Sequence, residues 1–143
     1  MQTGSGRIRD IVVVRCELGE DLLECIKKAI ADHHIKNGVI VTGYGTLDQS
    51  RVHMVTSSGF PIEEFIDEKE KPLEVLSIDG VIADGELHAH IVISDVDRAY
   101  GGHLEPGCRV LYLAEVVIGI LEDIDLKRQT DENGVRYLGI NGK

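Results

Sequence analysis

Two histidines, His88 and His90, are separated by one residue in the segment ELHAHIVIS. Successive side chains of a strand point to opposite faces, so this spacing puts both imidazoles on one face. A third, His103, follows in GGHLEPG. If the chain reverses at Asp95–Arg98, with its midpoint between Val96 and Asp97, directly paired positions carry numbers that sum to 193, and His90 faces His103. Opposed residues project to the same side of a sheet, with Cβ atoms about 4.5–5.5 Å apart. Three imidazoles gathered in this way suit one divalent metal, bound about 2.0–2.1 Å from each nitrogen. Zinc is the expected ion, with nickel, copper and iron also compatible with the ligand type. Three ligands leave a tetrahedral position open for water, a carboxylate, a substrate or a group from a neighbouring subunit, and an open position is typical of catalytic zinc. A one-residue slip in register would turn His103 to the other face. Gly101 and Gly102 just before it signal either a bulge or a close approach of backbones.

Two carboxylates interrupt apolar runs, Glu74 in PLEVLSI and Glu115 in CRVLYLAEVVIGIL. An uncompensated buried charge is costly, so each faces solvent, pairs with a cation or serves a site. In the last case they are the candidates for a partner that orients a histidine or for a general base toward metal-bound water. Spacing gives no reason to add His53 to the group. His33 and His34 read as surface residues or dipole partners near a helix end. Cys16, Cys25 and Cys108 are odd in number, widely spaced and free of any C-x-x-C, which argues against a disulfide framework and a cysteine zinc site. Cys25 and Cys108 read as buried structural thiols.

The elements that position these groups are one helix and a series of strands. Residues 8–15 (IRDIVVVR) form a strand by β-branched content. Leu22, Leu23, Ile26, Ala29 and Ile30 recur with the spacing of one helical face, Glu20 and Asp21 sit at the positive end of its dipole, and Asn37-Gly38 supplies a stop. Residues 38–47 and 50–56 read as a pair of strands joined around Asp48 and Gln49. Residues 57–71 read as a polar excursion with a short strand at Glu63–Ile66. Residues 72–123 give three strands, with turns at Asp84-Gly85, Asp95–Arg98 and Pro106-Gly107. The tail reads as strand, Asn-Gly turn, strand. The expected fold is α+β, a mainly antiparallel sheet of about seven strands with one principal helix. It is organised as one domain over 1–143, with a core of about 8–124 and a strand-turn-strand extension over 124–143.

The 143 residues suffice for a single hydrophobic core. No apolar run reaches the roughly 18 residues of a membrane span. The start, MQTGSGRIRD, carries no apolar stretch after its charges, so cytoplasmic residence is expected. A net charge of −10 works against direct DNA binding, which depends on cations that displace phosphate counterions. The small basic groups (Arg7, Arg9 and Arg15; Lys27 and Lys28; Lys127 and Arg128) read as solvated charges. No Walker or dinucleotide loop is present, and Gly43-Tyr44-Gly45 is too short to count as one.

The order GEDLLECI, PLEVLSIDG, HAHIVISD, GGHLEPG, AEVVIG resembles the PPC (plants and prokaryotes conserved) domain over roughly residues 8–124, with HxH followed by GGHL as its most specific element. The resemblance implies a compact α+β domain assembled as a homotrimer. The family's histidines fall on His88, His90 and His103, and its strand acids on Glu74 and Glu115. It also implies a DNA-binding or transcription-regulatory role, since plant members are the AT-hook motif nuclear-localised proteins. In those proteins a basic Arg-Gly-Arg core grips the minor groove, whereas this chain has only SGRIR near its start. Three functions are therefore open: a metal-stabilised trimeric module acting through assembly or protein partners, a small zinc-dependent hydrolase or lyase, and a metal or small-molecule sensor.

Overall fold

The β-branched run of Ile11, Val12, Val13 and Val14 makes Arg7–Glu17 the first strand, β1. In the computed structural model, which describes residues 1–141, it is followed by the helix α1 (Leu22–Asp32) and seven further strands. These are β2 (Gly38–Val55), β3 (Glu64–Ala83), β4 (Glu86–Ser94), β5 (Ala99–Leu104), β6 (Arg109–Glu122), β7 (Asp125–Thr130) and β8 (Arg136–Asn141). Among the described residues every strand pairing is antiparallel, which bears out an α+β fold with one helix; the strands there number eight rather than about seven.

The main sheet runs β1-β6-β2-β3-β4-β5, and β5 pairs again with β2. Strands β2, β3, β4 and β5 thus close on themselves, which removes an exposed edge. Closure is possible because β2 is one bent strand of 18 residues, not the two strands expected from 38–47 and 50–56. Asp48 does not reverse the chain. Register shifts between Leu47 and Gln49 on both neighbours mark it as a bulge, and its carboxylate takes two bonds from Arg109 at 2.8 and 3.0 Å. A bulge bends and twists a strand while keeping its direction. The expected excursion over 57–71 is also shorter than its polarity suggested. The EKEK run belongs to β3, where Glu68, Lys69 and Glu70 oppose Arg51, Ser50 and Gln49. Alternation splits its charges between two faces: Glu68 pairs with Arg51 at 2.9 Å on the outer one, whereas Lys69 and Lys71 pair with the largely covered Asp67 and Asp95 on the other.

α1 buries Leu22, Leu23, Ile26 and Ile30. They share one core with Val12 and Cys16 of β1 and Ala114, Val116 and Ile118 of β6. Asp21 caps the helix by accepting from the Glu24 N–H at 3.0 Å, and its other oxygen accepts from Gly107 at 2.6 Å, tying the helix start to the β5–β6 turn. The helix ends at Asp32, before Asn37-Gly38. Asn37 has a different task. It is buried and bonds the Ile124 carbonyl and the Leu126 N–H, which pins the start of β7. The turns at Asp84-Gly85 and Asp95–Arg98 fall where expected, and β7 and β8 form a separate two-stranded sheet.

Candidate metal centre

Along the β4–β5 hairpin the pairs run from His90↔His103 to Ser94↔Ala99, so the register summing to 193 holds throughout. Gly101 and Gly102 mark close approach and not a bulge. A Cβ on Gly101 would stand 2.1 Å from the Ile91 carbonyl oxygen, and one on Gly102 2.4 Å from that of His53. Ala89 and Ile91 point into the core, and the histidines between and beside them project from the outer face. His103 also pairs with His53 of β2, so His90, His103 and His53 follow one another across three strands.

The rings converge. His88 and His90 place their Nε2 atoms 3.3 Å apart. The His103 ring stands edge-on to both, with centroid separations of 4.8 Å to His88 and 5.6 Å to His90. Two nitrogens bound to one tetrahedral zinc at 2.0–2.1 Å are themselves about 3.3–3.4 Å apart, so the His88–His90 spacing suits a shared ion. Burial, followed by the neighbouring His103, Arg128, His90 and His53, pushes the His88 imidazole down to about 4. Burial also lowers His90, together with His103 and His53 and against the opposing Asp79. Neutral imidazole is the form that binds metal.

A carboxylate completes the cluster. Glu105 Oε1 lies 2.5 Å from His53 Nδ1 and 2.9 Å from His103 Nδ1. Burial raises its carboxyl, but the two histidine hydrogen bonds outweigh that and hold it below the usual range. His53 stacks on His103 at 4.5 Å with planes 25° apart. His53, His103 and Glu105 have potential ligand atoms within 4.8 Å of one another, so they form a second group able to hold a metal ion, sharing His103 with the first.

The two acids chosen from sequence stand elsewhere. Glu115 of β6 faces Arg15 of β1 and accepts at 2.6 Å from the hydroxyl of Tyr44, which lies nine residues along β2 from His53. Glu74 is exposed on β3, opposite Thr46 and Ser94. Among the described residues neither bonds a histidine. Sequence reasoning passed over Glu105, although its i, i+2 relation to His103 repeats the HxH alternation. His53 carried no such signal, because β2–β5 pairing joins strands distant in the chain. His33 and His34 are exposed at the helix end. All three cysteines are free; burial drives Cys16 upward and Cys108 up to about 11, so these two are protonated, structural thiols at neutral pH.

Beside the cluster, β4 and β5 part after the His90–His103 pair, leaving a cavity of about 510 Å³ lined by Leu23, Lys27, Glu86, Leu87, His103 and Glu105 among others. On the other side Arg128 donates to the Val81 carbonyl, across the strand from His88.

An antiparallel sheet closed on itself, one covering helix and a surface cluster of histidines define a compact α+β domain with a candidate metal centre. The chain belongs to the Plants and Prokaryotes Conserved (PCC, or PPC) domain family, which matches residues 3–122. A PPC protein from Pyrococcus horikoshii is similar at 26% identity, with 95% of each chain covered and a TM-score of 0.80. A metal-containing protein from Archaeoglobus fulgidus shares the fold at 22% identity, with 96% of this chain and 98% of that one covered and a TM-score of 0.82. The bifunctional protein GlmU of Synechococcus sp. (strain JA-3-3Ab) is 26% identical over 132 residues, 92% of this chain, which spans only 20% of that relative's length. Among the described residues no helix is long and apolar enough to cross a membrane.

Proposed function

We propose that this protein is a metal-binding PPC-domain module that assembles as a homotrimer and serves transcriptional regulation through its assembly or through protein partners. His88, His90 and His103 bind one zinc ion. The observation that carries this reading is the 3.3 Å separation of His88 and His90 Nε2, with His103 edge-on beside them. The metal content of the Archaeoglobus fulgidus neighbour agrees with it.

Self-association is supported by the sheet face opposite α1. There Ile11 and Val13 of β1 lie opposite Gly119 and Val117 of β6, with Val41 of β2 beside Gly119, and Ile11, Val13 and Val41 are exposed. An apolar patch of this kind marks an interaction surface. A role through partners, not through a direct grip on DNA, fits the charge. Arg7, Arg9, Arg15, Lys27 and Lys28 all pair with acids of the same chain.

Elemental analysis of protein purified without added metal tests the centre. About one zinc per chain is expected in the wild type, a loss in His90→Ala and retention in His53→Ala. No metal in the wild type, or undiminished binding in His90→Ala, overturns the assignment.

A second reading, a zinc-dependent hydrolase or lyase, draws on the open coordination position and the adjoining cavity. Hydrolysis of a model ester that disappears on chelation and returns with zinc would favour it.

A further inference from the structure

We infer that Glu105 is a positioning residue that clamps His103 and His53 together through their Nδ1–H groups, so that His103 presents its Nε2 lone pair to an ion. An ionised carboxylate only accepts hydrogen bonds. Glu105 Oε1 reaches both Nδ1 atoms, at 2.5 and 2.9 Å, so each of those nitrogens must donate. A neutral imidazole protonated at Nδ1 has its free lone pair on Nε2. Metal-ligating histidines characteristically donate their other N–H to a carboxylate, which fixes tautomer and ring orientation together.

The chain holds the clamp in place. Glu105 precedes Pro106, and a residue before proline is driven to extended backbone. Its N–H donates to the Arg51 carbonyl at 3.2 Å, which keeps the carboxylate against β2 and against His53. His53 shares the clamp without sharing the ion. Its ring stacks on that of His103 with planes 25° apart, and its Nε2 has the Glu64 carboxylate as its neighbour, at 3.7 Å. His53 therefore acts as a buttress that keeps the His103 ring edge-on to His88 and His90.

The effect on affinity rests on the zinc site proposed above, whereas the tautomers do not. Long-range ¹⁵N–¹H spectra of the metal-free wild type should show Nδ1 protonated at both His53 and His103, and Nε2 unprotonated at His103. In Glu105→Ala the Nε2–H form should appear at His103, and zinc affinity should fall about 10- to 100-fold. Glu105→Gln retains an acceptor carbonyl and should keep both the tautomer and most of the affinity. An unprotonated Nδ1 at either histidine in the wild type overturns the clamp, as does unchanged zinc affinity in Glu105→Ala. A wild type that takes up no zinc but shows both Nδ1–H groups, lost in Glu105→Ala, supports the clamp while removing the zinc site.

Discussion

Gly102 of β5 lies so close to His53 of β2 that a Cβ built on it would stand 2.4 Å from the His53 carbonyl oxygen. That contact is the seam where the four-stranded circuit closes, one residue from His103. Backbone cannot yield as a flexible side chain can. Gly102→Ala should therefore force β5 away from β2 and cost about 1–3 kcal/mol, the usual range for overpacking. Urea denaturation measures the loss, and zinc affinity should drop with it although the glycine offers no ligand atom. Gly59→Ala, with nothing within 4 Å of its added Cβ, is the matched control and should leave zinc affinity unchanged.

What could be read from the residues depended on how local the pairing was. The β4–β5 hairpin joins neighbours in sequence across a short turn, so one midpoint fixed its register and brought His90 opposite His103. The helix face was equally local, since its apolar spacing repeats within a few residues. His53 enters through a strand pairing that spans 50 residues, and no periodicity reports such a contact. Asp48 misled because an acid between two β-rich runs is common to turns and bulges, and only the Arg109 partner on β6 distinguishes them. Glu74 and Glu115 drew notice as charges within apolar runs, yet alternation placed both on outer faces.

The turn that sets this register depends on an ionised Asp95. Its carboxylate accepts from the N–H groups of Asp97 and Arg98, at 2.8 and 3.0 Å, and pairs with Lys71. The Lys71 bond, then the two backbone bonds, hold the Asp95 carboxyl far below the usual carboxylate range. A depressed native value contributes stability that is fully present above the unfolded aspartate value of about 3.9 and is lost as pH falls toward the native one. Asp95→Asn should lower stability at pH 7 and flatten its decline between about pH 5 and 2. Thermal melts across that range provide the check; parallel curves for the two proteins would contradict this role.

Direct DNA binding gives a further measurable difference. A protein neutralising several phosphates shows log affinity falling linearly with log salt, with a slope of about −0.9 per contact on duplex DNA. This chain carries a net charge of −10, and its N-terminal and helical cations pair with its own acids. Fluorescence titration with a labelled duplex should detect no saturable binding at about 0.15 M salt, an ionic strength at which surface charges are screened beyond roughly 8 Å. Tight binding there, with a steep salt slope, would replace a role through partners by one through DNA itself.

Assembly should depend on Val13, which is 67% exposed and lies opposite Val117 on the edge strand of the uncovered sheet face. Its side chain takes no part in the buried core, so Val13→Lys should leave the fold of one chain intact. In a homotrimer the same position recurs three times, and each lysine would carry a charge into apolar surroundings without a partner. Sedimentation equilibrium should give about three times 15.7 kDa for the wild type and a shift toward 15.7 kDa for the variant. The variant's melting temperature should fall and lose the concentration dependence of the wild type, because subunit association stabilises the native state by mass action. A trimer that persists in Val13→Lys would move the interface to another face, and a monomeric wild type would remove the assembly from the proposed function.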